Sequence, residues 1–267
     1  MQINEDFTRR SKILDVGRWY ITRFVEGVAA SLPARTLLLD AGAGESAYKR
    51  FFAHCDYRAA DLAVGESRWN YANLDYICPL DKIPVADATF DAILCTQVLE
   101  HVEFPRACMS EMARVLKPGG RIFVTVPMSQ AEHQTPYDFF RYTSFGLRSL
   151  FTEAGFEVES VVAFGGRYAR LAYELPAAFP TLDRFNWSLR HFVTLPIRLP
   201  MHVLVRCAQA VLLLLDRRDS ASKYPLGWGA VATRRASAAP DEGHAVPAPA
   251  TGSVMPILAP AQGDGPG

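Results

Sequence analysis

Short apolar runs alternate with stretches of helical periodicity along the first 164 residues. The runs sit at about 36–40 (TLLLD), 57–61 (YRAAD), 74–78 (LDYIC), 90–95 (FDAILC), 121–126 (RIFVTV) and 156–163 (FEVESVVA). Helical patterns near 10–31, 46–54, 105–116 and 144–154 lie between or ahead of them. Runs this short and this apolar suit strands buried on both faces. Their interleaving with helices implies an α/β fold, a doubly wound and mostly parallel sheet. "KPGG" at 117–120 reads as a helix stop followed by a turn. A late run, GWGAVATRR at about 227–235, can join the same sheet.

Between the sixth run and the late one lies a zone, 165–225, rich in arginine, aromatics and leucine. Within it "MHVLVRCAQAVLLLLD" (201–216) reads as a helix whose polar stripe is His202, Arg206 and Gln209. Pro196 and Pro200 precede that pattern and are expected to confine its start. So broadly apolar a helix must bury most of its surface. From 236 to 267 the chain is mostly Ala, Pro and Gly with no lysine or arginine. Such a segment cannot offset its chain entropy by burial, so a disordered tail is expected.

Composition adds little to the pattern. The 267 residues are 49% hydrophobic and 21% charged, with a formal net charge of zero, so no global electrostatic case for nucleic acid exists. The N-terminal decapeptide carries acids and has no apolar core, unlike a secretory signal. No stretch reaches the roughly 18 uninterrupted apolar residues of a membrane span. Five cysteines form no C-x-x-C pair. Cys78 and Cys95 fall in apolar runs and are expected as buried free thiols, which fits a reducing cytoplasm. The histidines and cysteines show no metal-ligand spacing.

The chemistry begins at "LLLDAGAGES" (37–46). Asp40 closes a buried run directly before Gly42 and Gly44. Glycines there permit a tight turn and let a ligand approach where a Cβ would clash, and the helix expected next offers free N–H groups. Gly42-x-Gly44-x-x-Ala47, with Asp61 about twenty residues on, formally satisfies a dinucleotide fingerprint. Yet Asp40 and Glu45 flank the turn and would repel a pyrophosphate. A ligand bearing an ammonium and a sulfonium would gain from them, which favours S-adenosylmethionine over a nicotinamide dinucleotide.

Together "LLLDAGAGES", "YRAADL", "IPVADATFDAILCTQVLEHVEFPRACMSEMARVLKPGGRIFVTVP" and "HQTPYDFFRYTSFGLRSLFTEAGFEV" resemble the class I S-adenosylmethionine-dependent methyltransferases, in particular the type 11 group. The resemblance covers about 36–164 and the strand near 227–235. It implies a Rossmann-like, seven-stranded sheet with a reversed last strand and a long helical insertion before it. The resulting divisions are an N-terminal helical segment (1–35), the cofactor-binding core (36–164), the insertion (165–225), the last strand (226–235) and the tail (236–267). By the same resemblance Asp40, Gly42 and Gly44 border the methionine end of the cofactor. Asp61 takes the ribose hydroxyls, Leu80 lines the adenine, and Thr96 and Gln97 border the cofactor after the fourth strand. The family's adenine segment often carries an acid, which falls at Pro79 here. Asp87 and Asp91, in "D-x-x-F-D", are expected to be structural.

Methyl transfer from a sulfonium needs chiefly proximity and alignment, and a hydroxyl or amine acceptor must also lose a proton. His101, in "LEHV", and His133 are the candidate bases. Tyr137, Asp138, Arg141 and Tyr142 follow the fifth strand, where α/β sheets bind ligands, and are candidate acceptor contacts. The acceptor is expected to be a small molecule, a glycan or a lipid-linked compound. A nicotinamide-dependent oxidoreductase and an inactive, methyltransferase-like binding protein are the alternatives. Residues 184–235 hold nine arginines and lysines against two acids, Asp216 and Asp219. The insertion is therefore either a lid over the acceptor cleft or, through 184–223 with Arg198, Arg217, Arg218 and Lys223, a peripheral membrane contact of a cytoplasmic protein. The tail reading is directly testable. A chain truncated near residue 236 is expected to melt with the full-length protein and to keep cofactor binding, and a large loss of stability would show that the tail packs.

Overall fold

A computed structural model describes residues 15–65, 69–179, 189–219 and 223–236, with the side chains of 189–192 left aside. The expected tail lies, but for its first residue, outside the described residues. Seven strands form one sheet: β1 (Leu37–Ala41), β2 (Asp56–Asp61), β3 (Tyr76–Ile77), β4 (Phe90–Thr96), β5 (Leu116–Pro127), β6 (Phe156–Ala163) and β7 (Gly227–Arg234), in the order β3-β2-β1-β4-β5-β7-β6. The first five run parallel. Strand β7 is antiparallel to both β5 and β6, which is the reversed last strand that the resemblance implies.

Successive residues of a strand point to opposite faces, and each face carries its own core. Leu38, Leu94 and Phe123 pack with Ile21, Val25 and Val28 of α1 (Val16–Ser31). Leu39, Ile93, Cys95, Ile122 and Val124 belong to the opposite core, with Met109 and Met112 of α2 (Pro105–Val115) and Leu147 and Phe151 of α3 (Ser144–Glu153). Helix α1 starts at Asp15, whose carboxylate accepts the Arg18 N–H at 3.0 Å, and α3 starts at Thr143, which caps the Gly146 N–H. Asp91 is structural, as expected: it accepts the Leu37 N–H at 2.9 Å and pairs with Lys117 at 2.6 Å. Asp87 pairs with Arg114. Cys78 and Cys95 are buried free thiols.

Three expectations change. The helix expected over 46–54 is only a 3-10 turn, Lys49–Phe52. Ser46 adopts a left-handed φ of 57°, which no α-helix continues through. The "KPGG" turn is absorbed into β5, as an irregularity that separates the Phe90–Leu116 pairing from the regular register starting at Ala92–Arg121. Gly119, with φ 77°, accommodates it. The third difference is α5 (Leu189–Asp216), which holds Pro196 and Pro200 inside rather than before it. Each removes one helical hydrogen bond. Both are exposed, so the carbonyls they free can meet water.

Helices α4 (Arg167–Ala178) and α5 pack on each other. Gln209, buried, donates to the Ala172 carbonyl at 2.6 Å. Asp216, at the end of α5, accepts the Gly166 and Ala169 N–H groups at the start of α4 and the Tyr20 hydroxyl of α1. One carboxylate thus ties the hairpin to the domain. Away from this anchor α5 is not buried as its composition demands. Val193, Ile197, Leu204, Val211 and Leu214 are all exposed and recur every three to four or seven residues, on one stripe. The segment Val193–Asp216, with mean hydropathy 1.5 over its most apolar window, is long and apolar enough to cross a membrane by length and composition.

Candidate functional site

The carboxyl ends of β1, β2, β4 and β5 meet along one edge of the sheet, where the functional residues gather. Asp40, the fourth residue of β1, is buried. One of its oxygens receives the Tyr57 hydroxyl from β2, while Oδ1 has no hydrogen-bond partner within the protein. Burial pushes the Asp40 carboxyl up to about 7, against the Tyr57 hydrogen bond and with the help of nearby Asp61.

Beyond Asp40 the backbone turns left-handed at Gly42 (φ 81°) and Gly44 (φ 53°). A Cβ at Gly42 would clash with a methyl of Val98, so this glycine makes room for the loop after β4. Asp61 folds back on the turn: one oxygen accepts the Gly44 N–H at 2.9 Å and the other the Ala63 N–H at 2.8 Å. Each carboxylate oxygen keeps a further lone pair for a hydroxyl. Glu45, which figured in the charge argument, accepts the Asn70 N–H at 3.0 Å and fastens the following loop. The unpartnered carboxylate oxygen at the turn is Asp40's. Leu80 is buried within the core beside Cys78 and Ile83.

Gln97, directly after β4, is left-handed (φ 54°) and turns its side chain to Thr125 at 3.2 Å. Strain of this kind collects where a loop must be aimed. The chain then forms a 3-10 turn, Leu99–His101. His101 Nδ1 lies 2.5 Å from the Tyr137 carbonyl, so it carries the proton there and leaves Nε2 as a lone pair. That Nε2 is buried without a partner and faces Glu100 Oε1 at 3.9 Å. Both Glu100 oxygens are likewise buried and unpartnered. Burial pushes Glu100 up to about 8 and holds His101 below its usual value. The His133 ring stands 4.7 Å from that of His101, edge to face. A cavity of about 260 Å³ opens beside the pair, lined also by Gln97, Arg18 and Tyr173. Its walls therefore come from α1, α4 and the loops after β4 and β5.

The residues expected to hold the acceptor behave differently. Asp138 and Arg141 close on each other at 2.7 Å. Arg141 also donates to the Gln130 and Ala131 carbonyls, and Asp138 accepts the His133 N–H. The Arg141 guanidinium holds the Asp138 carboxyl well below the usual carboxylate range. This pair braces the loop that carries His133 and does not line the cavity. Tyr142 is buried with its hydroxyl donating to the Leu99 carbonyl at 2.9 Å, and Tyr137 contributes its carbonyl to His101. Four residues close in sequence thus shape the site from behind. Glu100, Tyr57 and the α1 and α4 residues were missed. An acid inside "VLEHV" gives no sign of its burial, and the helices gave no sign of meeting the strand ends.

Residues 39–124 match the model of a family described as a methyltransferase domain. Over that stretch the chain is similar to the class I methyltransferases of type 11. It is similar to a demethylmenaquinone methyltransferase of Renibacterium salmoninarum, 32% identical over 132 residues, covering 47% of this chain and 54% of that protein. The match thus spans about half of that relative's length. Among solved structures, the chain resembles a Haloferax volcanii complex of the Trm112 methyltransferase activator with a methyltransferase (TM-score 0.54, 16% identity, 83% of this chain and 91% of that one). It also resembles a Burkholderia thailandensis 1,6-didemethyltoxoflavin-N1-methyltransferase with S-adenosylhomocysteine bound (TM-score 0.50, 15% identity, 83% and 80%). At these identities the structural likeness is one of fold.

The turn fits S-adenosylmethionine: a buried acid with one unpartnered oxygen, then two left-handed glycines. A cationic ligand binds the ionised form of Asp40, and that form is lost as pH falls through about 7. Affinity for S-adenosylmethionine is expected to tighten by about tenfold from pH 6 to pH 8, and Asp40→Asn to flatten the profile. Calorimetric titration reads both, and a wild-type profile as flat as the variant's would remove Asp40 from contact with the cofactor.

Proposed function

We propose that the protein transfers the methyl group of S-adenosylmethionine to a small or lipid-linked acceptor bearing a hydroxyl or amine, held in the cavity beside His101 and His133. The observation that carries this reading is that the acid–glycine turn meets, at Gly42 and Val98, the loop whose Gln97 and His101 line that cavity. Bound S-adenosylmethionine supplies an activated methyl group. Asp40, the glycine turn and Asp61 hold and orient it, with Thr96 and Gln97 at its border, while the histidine pair manages the acceptor's proton. Replacing Asp40 or Asp61 by alanine is expected to weaken cofactor binding by about 1–3 kcal/mol. Metabolite profiling with methyl-labelled cofactor is expected to show labelled product with the wild type and none with Asp40→Ala. Once an acceptor is in hand, alanine at His101 or His133 should lower turnover by about 10²–10⁴-fold with cofactor affinity little changed. Full turnover in both variants would take the pair out of the chemistry.

The lipid-linked form of the acceptor is favoured by α5. Its exposed stripe ends at Arg217, Arg218 and Lys223, all exposed, so apolar surface and positive charge lie side by side as an anionic bilayer surface requires. That same end is tied to the domain by Asp216 and Gln209, which suits a helix lying on the membrane. The similarity to a demethylmenaquinone methyltransferase is in keeping with an apolar acceptor. Co-sedimentation with anionic liposomes is expected to fall with salt and to fall again when Arg217, Arg218 and Lys223 become glutamine. No binding at any salt would leave α4 and α5 as a lid.

A further inference from the structure

We infer that Glu100, His101 and His133 form a site for a divalent first-row cation at the edge of the cavity. Spacing along the chain gave no hint of it, because 32 positions separate the two histidines. The fold brings one ligand atom from each of the three within 4.8 Å of one another. Three features make the cluster a cradle for a cation.

The first is a set of lone pairs with nothing between them. Both Glu100 oxygens and His101 Nε2 are buried without a hydrogen-bond partner. The nearest approach, Glu100 Oε1 to His101 Nε2, is 3.9 Å, too long for a hydrogen bond. Buried polar atoms are otherwise satisfied almost without exception. A tetrahedral cation with bonds of about 2.1 Å keeps its ligand atoms roughly 3.4 Å apart, so the pair needs to close by only a few tenths of an ångström. The second feature is the orientation of the rings. His101 Nδ1 meets the Tyr137 carbonyl at 2.5 Å and His133 Nδ1 meets the Ala131 carbonyl at 3.1 Å. A backbone carbonyl that takes the Nδ1 proton fixes the tautomer and leaves Nε2 as the donor to a metal, the usual outer arrangement of ligating histidines. The third is bracing. Arg141 and Asp138 hold the His133 loop, and Phe139 and Phe140 donate their N–H groups to the Glu100 carbonyl. The loop and the 3-10 turn are thereby fixed relative to each other.

Two imidazoles and one carboxylate suit Zn²⁺, Fe²⁺, Co²⁺ or Mn²⁺ better than Mg²⁺ or Ca²⁺, which prefer oxygen throughout. Three protein ligands leave a coordination position open, and both histidines line the cavity, so a donor atom of a molecule held there can complete the sphere. The site goes beyond the methyl-transfer reading and competes with it for the same Nε2 lone pairs, since a histidine that holds the cation takes no proton from an acceptor.

Co²⁺ titration of the chelator-treated full-length protein tests the assignment. One Co²⁺ per chain is expected, with visible d–d absorption, and Zn²⁺ is expected to displace it. His133→Ala, a half-exposed position whose loss leaves the core untouched, should weaken Co²⁺ binding by more than about 100-fold, beyond the effect of losing an outer partner, while S-adenosylhomocysteine binding stays as in the wild type. Glu100→Gln should weaken Co²⁺ binding in the same direction, with circular dichroism checking its fold. No d–d absorption in the wild type, or a stoichiometry and spectrum unchanged by His133→Ala, would overturn the site. Failure of cofactor binding in the wild type would instead count against the methyltransferase reading and leave the Co²⁺ result standing.

Discussion

Val98 occupies the space that a side chain at position 42 would need. That single contact joins the two halves of the site. On one side is the turn after β1, which carries Asp40 and is laced to β2 by Asp61. On the other is the loop after β4, which runs through Val98 into Glu100 and His101. Any side chain at position 42 would push the two apart and would also oppose the left-handed backbone there. The parallel sheet brings both loops to one edge, and the glycine lets them touch.

The sheet was legible in the sequence because buried parallel strands leave short, nearly continuous apolar runs, and all seven strands fall on or within a few residues of such runs. The alternation of core faces, Leu38 against Leu39 and Leu94 against Ile93, follows from strand geometry alone. What escaped was local. A left-handed Ser46 stopped a helix that periodicity supported. Pro196 and Pro200 looked like a boundary because a proline's cost is read from the backbone, whereas here both prolines sit exposed inside the helix.

At the site the division is similar. Asp40, Gly42, Gly44 and Asp61 stood out as candidates because a strand-to-turn transition with an acid and two glycines has few uses, and the structure gathers them at one turn. Asp138 and Arg141 invited a reading as ligand contacts, yet an acid and an arginine three residues apart can equally satisfy each other, and here they do. Glu100 sat unnoticed between Leu99 and His101. Its importance lies in what does not reach it, which only three dimensions disclose.

Asp216 receives hydrogen bonds from the start of α4 and from α1, and those same two helices supply Arg18 and Tyr173 to the cavity wall. The carboxylate is thus a shared hinge pin. Anything that shifts α5 at this end would reach, through that carboxylate, two of the helices that wall the cavity, so the outer face of α5 and the width of the entrance share one connection.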